Sequence, residues 1–349
     1  MNNYFCVLPF FSYEIDQYHG KNIYCCRLPV NQDITTVRNS IKNQQRNPAC
    51  QTCWKLEDQG LPSERQIHNR AFDVYADRDL ALIEQDALNG NFGPRVVKLA
   101  TSNLCNGTCV TCESSSSSAW AKLERKPISY NIIDQSHIDS IDWAQVVQLS
   151  FVGGEPLLER RNFEILQKLV DLGNRDCFIS IVTNGSCELT DAQLSLLEKF
   201  NNSNICVSID GVGKSFEYIR YPLKWDTLTK NLIQFKQIAR YVSVSCMVSN
   251  LNIFNYSQYV DFFKENNIDY TCKQIESPKY FVPGNLPDTF KKLVVDNNPN
   301  YRNEVEAFLN MGKYSDTLFR QFWNEINRQD KLKNISIADY LPELAATRI

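Results

Sequence analysis

The sequence has little net charge, few histidines and no long hydrophobic run. Its 37 basic and 40 acidic side chains give a formal charge of −3, without the positive excess typical of nucleic-acid-binding surfaces. No stretch is long enough for a membrane-spanning helix, and the N-terminus lacks a signal-peptide pattern. We therefore expect a cytoplasmic protein with neither membrane nor nucleic-acid partners. The three histidines, His19, His68 and His137, are too dispersed to form a metal set.

Cysteine, by contrast, is abundant, with 13 residues in a chain of 349. In a chain of this size without a signal peptide, thiols indicate metal ligation or redox chemistry rather than disulfides. Five cysteines lie in the first 53 residues, and three lie in the octapeptide CNGTCVTC, Cys105 to Cys112. The other five are single and are expected to be packed thiols. These are Cys177, Cys187, Cys206, Cys246 and Cys272.

The octapeptide offers three thiolates where a structural zinc site needs four ligands. Zinc modules usually bring two C-x2-C pairs, and no second pair follows Cys112. Three thiolates on a cubane iron-sulfur cluster would leave its fourth iron open to a small molecule. From these eight residues alone, buried thiols and a zinc site completed from elsewhere in the chain remain alternatives.

From residue 96 onward, apolar β-branched runs alternate with helical patterns whose apolar residues recur at spacings of three and four. Such runs are typical of parallel strands buried on both faces. Because six are too few for a closed eight-stranded barrel, we predict an α/β fold with a partial (β/α)6 TIM-like barrel. The runs are VVKLATS (96–102), VVQLSFVG (146–153), CFISIVTN (177–184), NICVSID (204–210), YVSVSCMVS (241–249) and YTCKQIE (270–276).

In such folds, chemistry gathers at the carboxyl ends of the strands. The octapeptide follows the first predicted strand, and short polar or glycine-containing turns end the next four. Glycine lets the backbone approach a ligand, and short polar side chains can bond its hydroxyl or carboxylate groups. Each turn alone is ordinary, but their shared position predicts a ligand site. The turns are GGEP (153–156), TNG (183–185), SIDG (208–211) and VSN (248–250).

Together these residues resemble the radical S-adenosylmethionine (SAM) superfamily over about residues 96–276. CNGTCVTC matches its C-x3-C-x2-C motif, GGEP its methionine-binding turn, and SIDG, with Arg220, its ribose and carboxylate region. One departure is Thr111, where many members carry an aromatic residue that covers the cluster. The resemblance implies a 4Fe-4S cluster, with SAM on its fourth iron, held by Cys105, Cys109 and Cys112.

The resemblance also implies a reaction. An electron passed through the cluster splits SAM into methionine and a 5'-deoxyadenosyl radical that abstracts hydrogen from a substrate, while the protein excludes water. The serine run ESSSSSAW is then expected to begin a helix that helps cover the cluster, with Trp120 in the core. An exposed helix arginine is the ordinary alternative for Arg220. The residues implied to bind SAM are Gly153, Gly154 and Glu155 at the methionine amino group, Asn184, Ser208 and Asp210 at the ribose or carboxylate, and Arg220 at the carboxylate.

The N-terminal cysteines predict a second site. FCVLPFFSYEIDQYHGKNIYCC predicts a hairpin with its turn at His19 and Gly20, and the helical pattern after it delivers CQTCW. One four-thiolate site can form here, and zinc and iron-sulfur fit it equally on sequence alone. The segment resembles the SPASM or twitch auxiliary modules, which usually follow the barrel, and this implies a second 4Fe-4S cluster. The predicted ligands are Cys6, Cys50, Cys53 and one of Cys25 or Cys26.

The predicted organisation has three parts: residues 1–90 form a small α+β cluster module, 91–284 the radical SAM partial barrel, and 285–349 C-terminal helices that cap the barrel or bind a partner. Radical SAM proteins with auxiliary modules commonly modify ribosomally made peptides, and an open barrel suits a long substrate. We therefore predict a peptide-modifying enzyme performing crosslinking, epimerisation or excision chemistry. No catalytic side chain is assigned.

The expected partners are the peptide, an electron donor such as flavodoxin or ferredoxin, and a separate leader-recognition protein, because no winged-helix domain is evident. One alternative keeps the radical chemistry but acts on a small metabolite or an RNA base, although the near-neutral charge argues against RNA. A noncatalytic iron-sulfur or zinc-binding protein would require the strand-end turns to be coincidental. The choice of a peptide rests on fold analogy.

Overall fold

The computed structural model describes residues 3–15, 22–25, 27–29, 31–75, 79–128, 130 and 132–348. Its sheet has seven strands, neighbouring one another in chain order, with β1 and β7 at the edges, so it is not a closed barrel. The pairs β1–β2, β2–β3, β3–β4 and β6–β7 are parallel. The strands are β1 (Ser12–Glu14), β2 (Val96–Leu99), β3 (Gln148–Phe151), β4 (Phe178–Thr183), β5 (Ser203–Ser208), β6 (Tyr241–Val248) and β7 (Asp269–Gln274).

All six predicted strands are present, as β2 to β7, which confirms the α/β prediction. Helices separate most successive strands, as a parallel sheet requires. The α-helices in the described part of the chain are α1 (Leu8–Phe11), α2 (Ile34–Lys42), α3 (Gln51–Asp58), α4 (Glu64–Tyr75), α5 (Leu80–Leu88), α6 (Ser118–Leu123), α7 (Gln135–Asp139), α8 (Arg160–Asp171), α9 (Asp191–Leu197), α10 (Lys214–Ile219), α11 (Trp225–Ile238), α12 (Tyr256–Glu265), α13 (Asp288–Asn297), α14 (Arg302–Asn310), α15 (Asp316–Lys333) and α16 (Pro342–Ala345).

The first strand of the predicted N-terminal hairpin is wrong over Leu8–Phe11 and confirmed over Ser12–Glu14. Leu8–Phe11 is helical, and β1 directly after it pairs with β2 in parallel, where it satisfies backbone groups of an edge that would otherwise be unpaired. The return segment contributes a single antiparallel bridge between Ile15 and Asn22. The predicted turn at His19 and Gly20 lies outside the described residues. The sheet therefore gains a strand from a segment that the sequence assigns to the N-terminal module.

The chain divides into two compact units, which we describe separately. The first contains Met1–Ser102, Asn131–Ile181 and Leu189–Asn204. Its N-terminal part has a hydrophobic core, against which three of the predicted ligand cysteines, Cys6, Cys25 and Cys50, are packed. This core consists of Phe5, Val7, Leu8, Phe10, Phe11, Val37, Ile41, Phe72, Ile83, Ala87, Val96 and Val147.

The second unit contains Asn103–Tyr130, Val182–Glu188 and Ile205–Ile349. The C-terminal helices predicted from the sequence are present as α13, α14 and α15, and α15 buries an apolar stripe that includes Phe322 and Ile326. Phe322 meets the ring of Phe281 edge to face at 5.9 Å. None of the helices in the described residues combines the length and apolar character needed to cross a membrane. The predicted boundaries after residues 90 and 284 stay a prediction.

Candidate functional site

The octapeptide folds around Gly107 in the second unit. A Cβ placed on Gly107 would lie 3.3 Å from Cys109 Sγ and 3.8 Å from Cys105 Sγ, so the missing side chain leaves a cradle beside both sulfurs. The start of α6 holds this loop, because Ser117 Oγ donates to Gly107 O at 2.7 Å and the Cys105 amide donates to Ser118 Oγ at 3.0 Å. Ser117 is also the N-cap of α6, which confirms the predicted helix start.

The chemistry of these thiols fits a metal cluster. Burial raises the pKa of Cys109, and burial together with the neighbouring Cys109 raises the pKa of Cys112 to about 12. Thiols that are buried and close enough to oppose one another's ionisation need a cationic partner to become thiolates. A 4Fe-4S core supplies that charge while binding each thiolate through a different iron. Within the described residues, no group of three or more Cys, His, Asp or Glu side chains is arranged around a single metal ion.

Asn184 lies beside the first cysteine, as part of a polar network. Its Nδ2 lies 4.0 Å from Cys105 Sγ and donates to Asn106 Oδ1 at 2.9 Å. Asn106 Nδ2 in turn donates to Ser186 Oγ at 2.8 Å. The structure thus brings a residue of the predicted ribose or carboxylate region next to a predicted cluster ligand.

Arg220 and Asp210 form a buried ion pair. Arg220 Nη2 lies 2.6 Å from Asp210 Oδ2, and their side chains are only 13% and 4% exposed. Burial alone would lower the pKa of Arg220, but the charges of Asp210 and Cys109 outweigh it and raise that pKa. Asp210 Oδ1 also accepts the Met247 amide at 2.8 Å. Arg220 is therefore not an exposed helix arginine, and its Nε is buried without a hydrogen-bond partner among the described residues.

Replacing Arg220 with methionine is expected to lower the free energy of unfolding of the apoprotein by about 3–5 kcal/mol, because it leaves the buried Asp210 carboxylate uncompensated. Urea denaturation at pH 7 measures the change. Adding Asp210→Asn should restore much of the stability. The control is Lys224→Met, which breaks a largely exposed pair with Glu217 and should cost less than about 1 kcal/mol. Equal losses in Arg220→Met and Lys224→Met would contradict the prediction.

The remaining predicted SAM residues lie in turns. Gly153 has φ +115°, and a Cβ there would meet Ser102 O at 2.8 Å, so any side chain would distort the turn. The Gly154 amide donates to the same oxygen at 3.1 Å. The Glu155 side chain is buried and accepts the Leu157 amide at 3.0 Å. Ser208, at the end of β5, is half-buried.

Two further side chains hold the cysteine loop, and the sequence analysis did not assign this role to either. Gln329 of α15 donates through Nε2 to Val110 O at 2.9 Å. Trp120, predicted to be core, is 1% exposed and donates through Nε1 to Cys109 O at 2.8 Å. The loop backbone is thereby fixed from α6 and from α15.

Among the single cysteines, Cys177, Cys187 and Cys246 are buried, which confirms packing for these three. Cys206 and Cys272 are half-buried. Cys246 and Cys272 are register partners on β6 and β7, a pairing that the sequence analysis did not foresee. Hydrogen bonds from the Cys246 thiol and the Tyr256 hydroxyl lower the pKa of Cys272.

The N-terminal cysteines meet in the first unit. Cys6, Cys25, Cys50 and Cys53 line one cavity. Burial raises the pKa of Cys6 to about 12 and that of Cys50 to about 11, and neighbouring thiols add to both shifts. The predicted ligand set was Cys6, Cys50, Cys53 and one of Cys25 or Cys26. The structure places Cys25 with the other three, while Cys26 lies outside the described residues. A cavity bordered by four thiols, of which Cys6, Cys50 and Cys53 oppose one another's ionisation, fits a cationic metal centre.

Arg65 borders the same cavity and is held from three directions. Its Nε donates to Glu57 Oε1 at 2.9 Å and its Nη1 to Phe5 O at 2.9 Å, while its guanidinium lies 4.9 Å from the centre of the Trp54 ring. Its charge works against the raised pKa values of Cys6 and Cys50. Arg65 thus places a fixed cation beside the predicted ligands.

Part of the chain is similar to a known protein family. Residues 89–233, less than half of it, match the family described as 4Fe-4S single cluster domain. Because this segment contains CNGTCVTC, the match confirms the 4Fe-4S prediction for this part of the chain. No curated protein matches the sequence.

Several solved structures are similar to the chain. Native anSMEcpe with bound AdoMet is 20% identical, with 63% of this chain and 62% of that chain covered and a TM-score of 0.45. Streptococcus suis SuiB bound to precursor peptide SuiA is 16% identical, with 93% and 76% covered and a TM-score of 0.44. The chain spans less than two thirds of the length of anSMEcpe. The matched segment makes residues 89–233 similar to a 4Fe-4S cluster family.

Proposed function

We propose that this chain is a radical SAM enzyme that modifies a ribosomally synthesised peptide. The cradle of thiols around Gly107 carries the proposal, because three cysteines without a fourth suit a cluster with one iron left for SAM. The fit of the donor set and the match of residues 89–233 support it. Cys105, Cys109 and Cys112 are the proposed ligands.

Residues of the second unit have the donors that SAM needs. Arg220 holds Asp210 through one edge of its guanidinium, while its Nε has no hydrogen-bond partner in the described residues. We assign this donor to the SAM carboxylate, and Asn184 and Ser208 to the ribose or carboxylate. When bound, the cluster supplies the electron that splits SAM into methionine and the 5'-deoxyadenosyl radical, which takes hydrogen from the substrate.

The glycine turn of the first unit is assigned to the methionine amino group. Gly153 and Gly154 present backbone without side chains, so a ligand can approach closely there. Glu155 is buried, and its carboxylate holds the turn by capping the Leu157 amide. We retain it in the predicted set.

The peptide is the least direct part of the proposal. A sheet with two edges leaves space for an extended substrate that a closed barrel would refuse, and the N-terminal thiol cavity supports an auxiliary cluster module. We further propose residues 1–90 as that module, 91–284 as the catalytic part and 285–349 as the C-terminal helices. A leader-recognition protein and a flavodoxin or ferredoxin complete the proposed system.

Anaerobic reconstitution tests the proposal. We expect about eight irons per chain, four for each cluster, and formation of 5'-deoxyadenosine from SAM with dithionite but not without it. Candidate precursor peptides are then screened by mass spectrometry for a change of mass. Fully loaded protein that leaves SAM intact, with or without peptides, would overturn the enzymatic reading. If the enzyme modified only a small metabolite or an RNA base, that molecule would replace the peptide as the proposed substrate.

A further inference from the structure

Lys333 is a lysine buried beside the proposed cluster loop. It is the last residue of α15 and is 6% exposed. Its Nζ donates to Gln329 Oε1 at 2.8 Å and lies 4.7 Å from the centre of the Trp120 ring and 5.9 Å from that of Tyr221. These direct neighbours are an uncharged amide and two aromatic faces. In the part of the chain that the structure describes, Lys333 has no ion-pair partner.

The groups that hold Lys333 also hold the cysteine loop. Gln329, which accepts its hydrogen bond, donates to Val110 O, and Trp120, which provides one of the ring faces, donates to Cys109 O. Lys333 is also close enough to Cys109 for each charge to act on the other. The ammonium is therefore fixed in position relative to the backbone of a proposed cluster ligand.

Charge distinguishes Lys333 from the other buried cation near this loop. The charge of Arg220 is matched by Asp210 at 2.6 Å, whereas that of Lys333 has no such partner. Burial lowers the pKa of Lys333 to about 8, and the charges of Cys109, Asp330 and Glu325 oppose that shift, so the ammonium still carries its charge at pH 7. A 4Fe-4S core with three thiolates is anionic, and its negative charge grows on reduction. A buried cation that forms no ion pair among the described residues therefore favours the reduced form.

Resting on the proposed function, we propose that Lys333 is a positioning residue that balances the charge of the SAM-binding cluster and raises its reduction potential. The competing explanation is structural: a lysine in the last turn of a helix interacts favourably with the helix dipole. A helix-dipole role would change the stability of the apoprotein without moving the potential of the cluster. The two explanations therefore differ in a measurable quantity.

The test compares reconstituted wild type with Lys333→Met, Lys333→Arg and Lys331→Met in redox titrations followed by EPR. Lys331 is an exposed lysine in the same helical turn and serves as the matched control. The signal of the SAM-binding cluster is recognised by its change on adding SAM. We expect Lys333→Met to shift the midpoint potential of that signal to more negative values, Lys333→Arg to stay nearer wild type, and Lys331→Met to leave it unchanged.

Each outcome decides between the alternatives. Loss of the cluster in Lys333→Met, with retention in Lys333→Arg and Lys331→Met, would also support a charge-balancing role. Wild-type potential in Lys333→Met would overturn the inference and leave the proposed function standing, and so would equal shifts or equal cluster loss in Lys333→Met and Lys333→Arg. A wild type with no SAM-responsive signal would overturn the proposed function and this inference with it.

Discussion

Replacing Cys109 with alanine is expected to remove about four of about eight irons per chain and to abolish 5'-deoxyadenosine formation. Cys109 is the proposed ligand whose surroundings this chain defines in most detail. Arg220, Lys333 and Asp210 act on its thiol, and Trp120 holds its carbonyl. Because the cluster has only three proposed protein ligands at this site, the loss of one leaves two, and no fourth cysteine in the octapeptide can replace it.

Iron and sulfide analysis and quantification of 5'-deoxyadenosine measure this effect under anaerobic conditions. Cys177→Ala is the control, because it removes a buried thiol that lies directly before β4 and outside the proposed site. It should keep both the iron content and SAM cleavage. A Cys109→Ala protein that retains full iron and cleaves SAM like Cys177→Ala would show that the octapeptide does not bind the cluster.

The strands could be predicted from the sequence because their signal is local. Runs such as CFISIVTN and YVSVSCMVS are rich in apolar and β-branched residues, and in the structure one face of each strand is buried while the other is mostly half-buried. The sequence predicted a strand at SYE as one arm of a hairpin, but not its parallel pairing with β2. It is a strand because the edge of β2 offers it backbone partners. The first pair joins Ser12 to Val96, 84 residues further along the chain, so a local pattern cannot reveal it.

The site could be predicted in part for the same reason. Cys105, Cys109 and Cys112 could be predicted as cluster ligands because their spacing is a pattern within eight residues. Lys333 was not predicted from the sequence, although the sequence contains a signal for it. Lys333 continues the buried face of α15 that includes Ile326 and Gln329, at spacings of three and four. A lysine on such a face is a departure from the amphipathic pattern. Its partner is a loop more than 200 residues earlier, which no local pattern reveals.

The Asp210–Arg220 pair illustrates a different limit. The sequence placed both residues near SAM, but their mutual contact depends on how the end of β5 and the turn after α10 come together. Likewise, nothing in the adjacent letters CC separates Cys25 from Cys26. The structure places Cys25 in a cavity with Cys6, Cys50 and Cys53, while Cys26 lies outside the described residues, so the choice between them stays a prediction.

Replacing Cys25 with alanine is expected to lower the iron content from about eight to about four per chain, whereas Cys26→Ala should leave it unchanged. Cys25 lines the cavity that also contains Cys6, Cys50 and Cys53, and these four thiols are the proposed ligands of the auxiliary cluster. The adjacent cysteine is a closely matched control, since it differs by one position in the chain. Iron, sulfide and zinc are counted together in both variants.

The metal count separates the remaining possibilities for this cavity. Four thiolates saturate the irons of a 4Fe-4S cluster, so the auxiliary cluster would have no open iron for substrate and would pass electrons or order the module. Zinc in the wild type, lost in Cys25→Ala, would make the site a structural one. Iron loss in Cys26→Ala with retention in Cys25→Ala would transfer the ligand role to Cys26. In every case the iron bound through Cys105, Cys109 and Cys112 should be retained, because those thiols do not line this cavity. SAM cleavage should be retained with it.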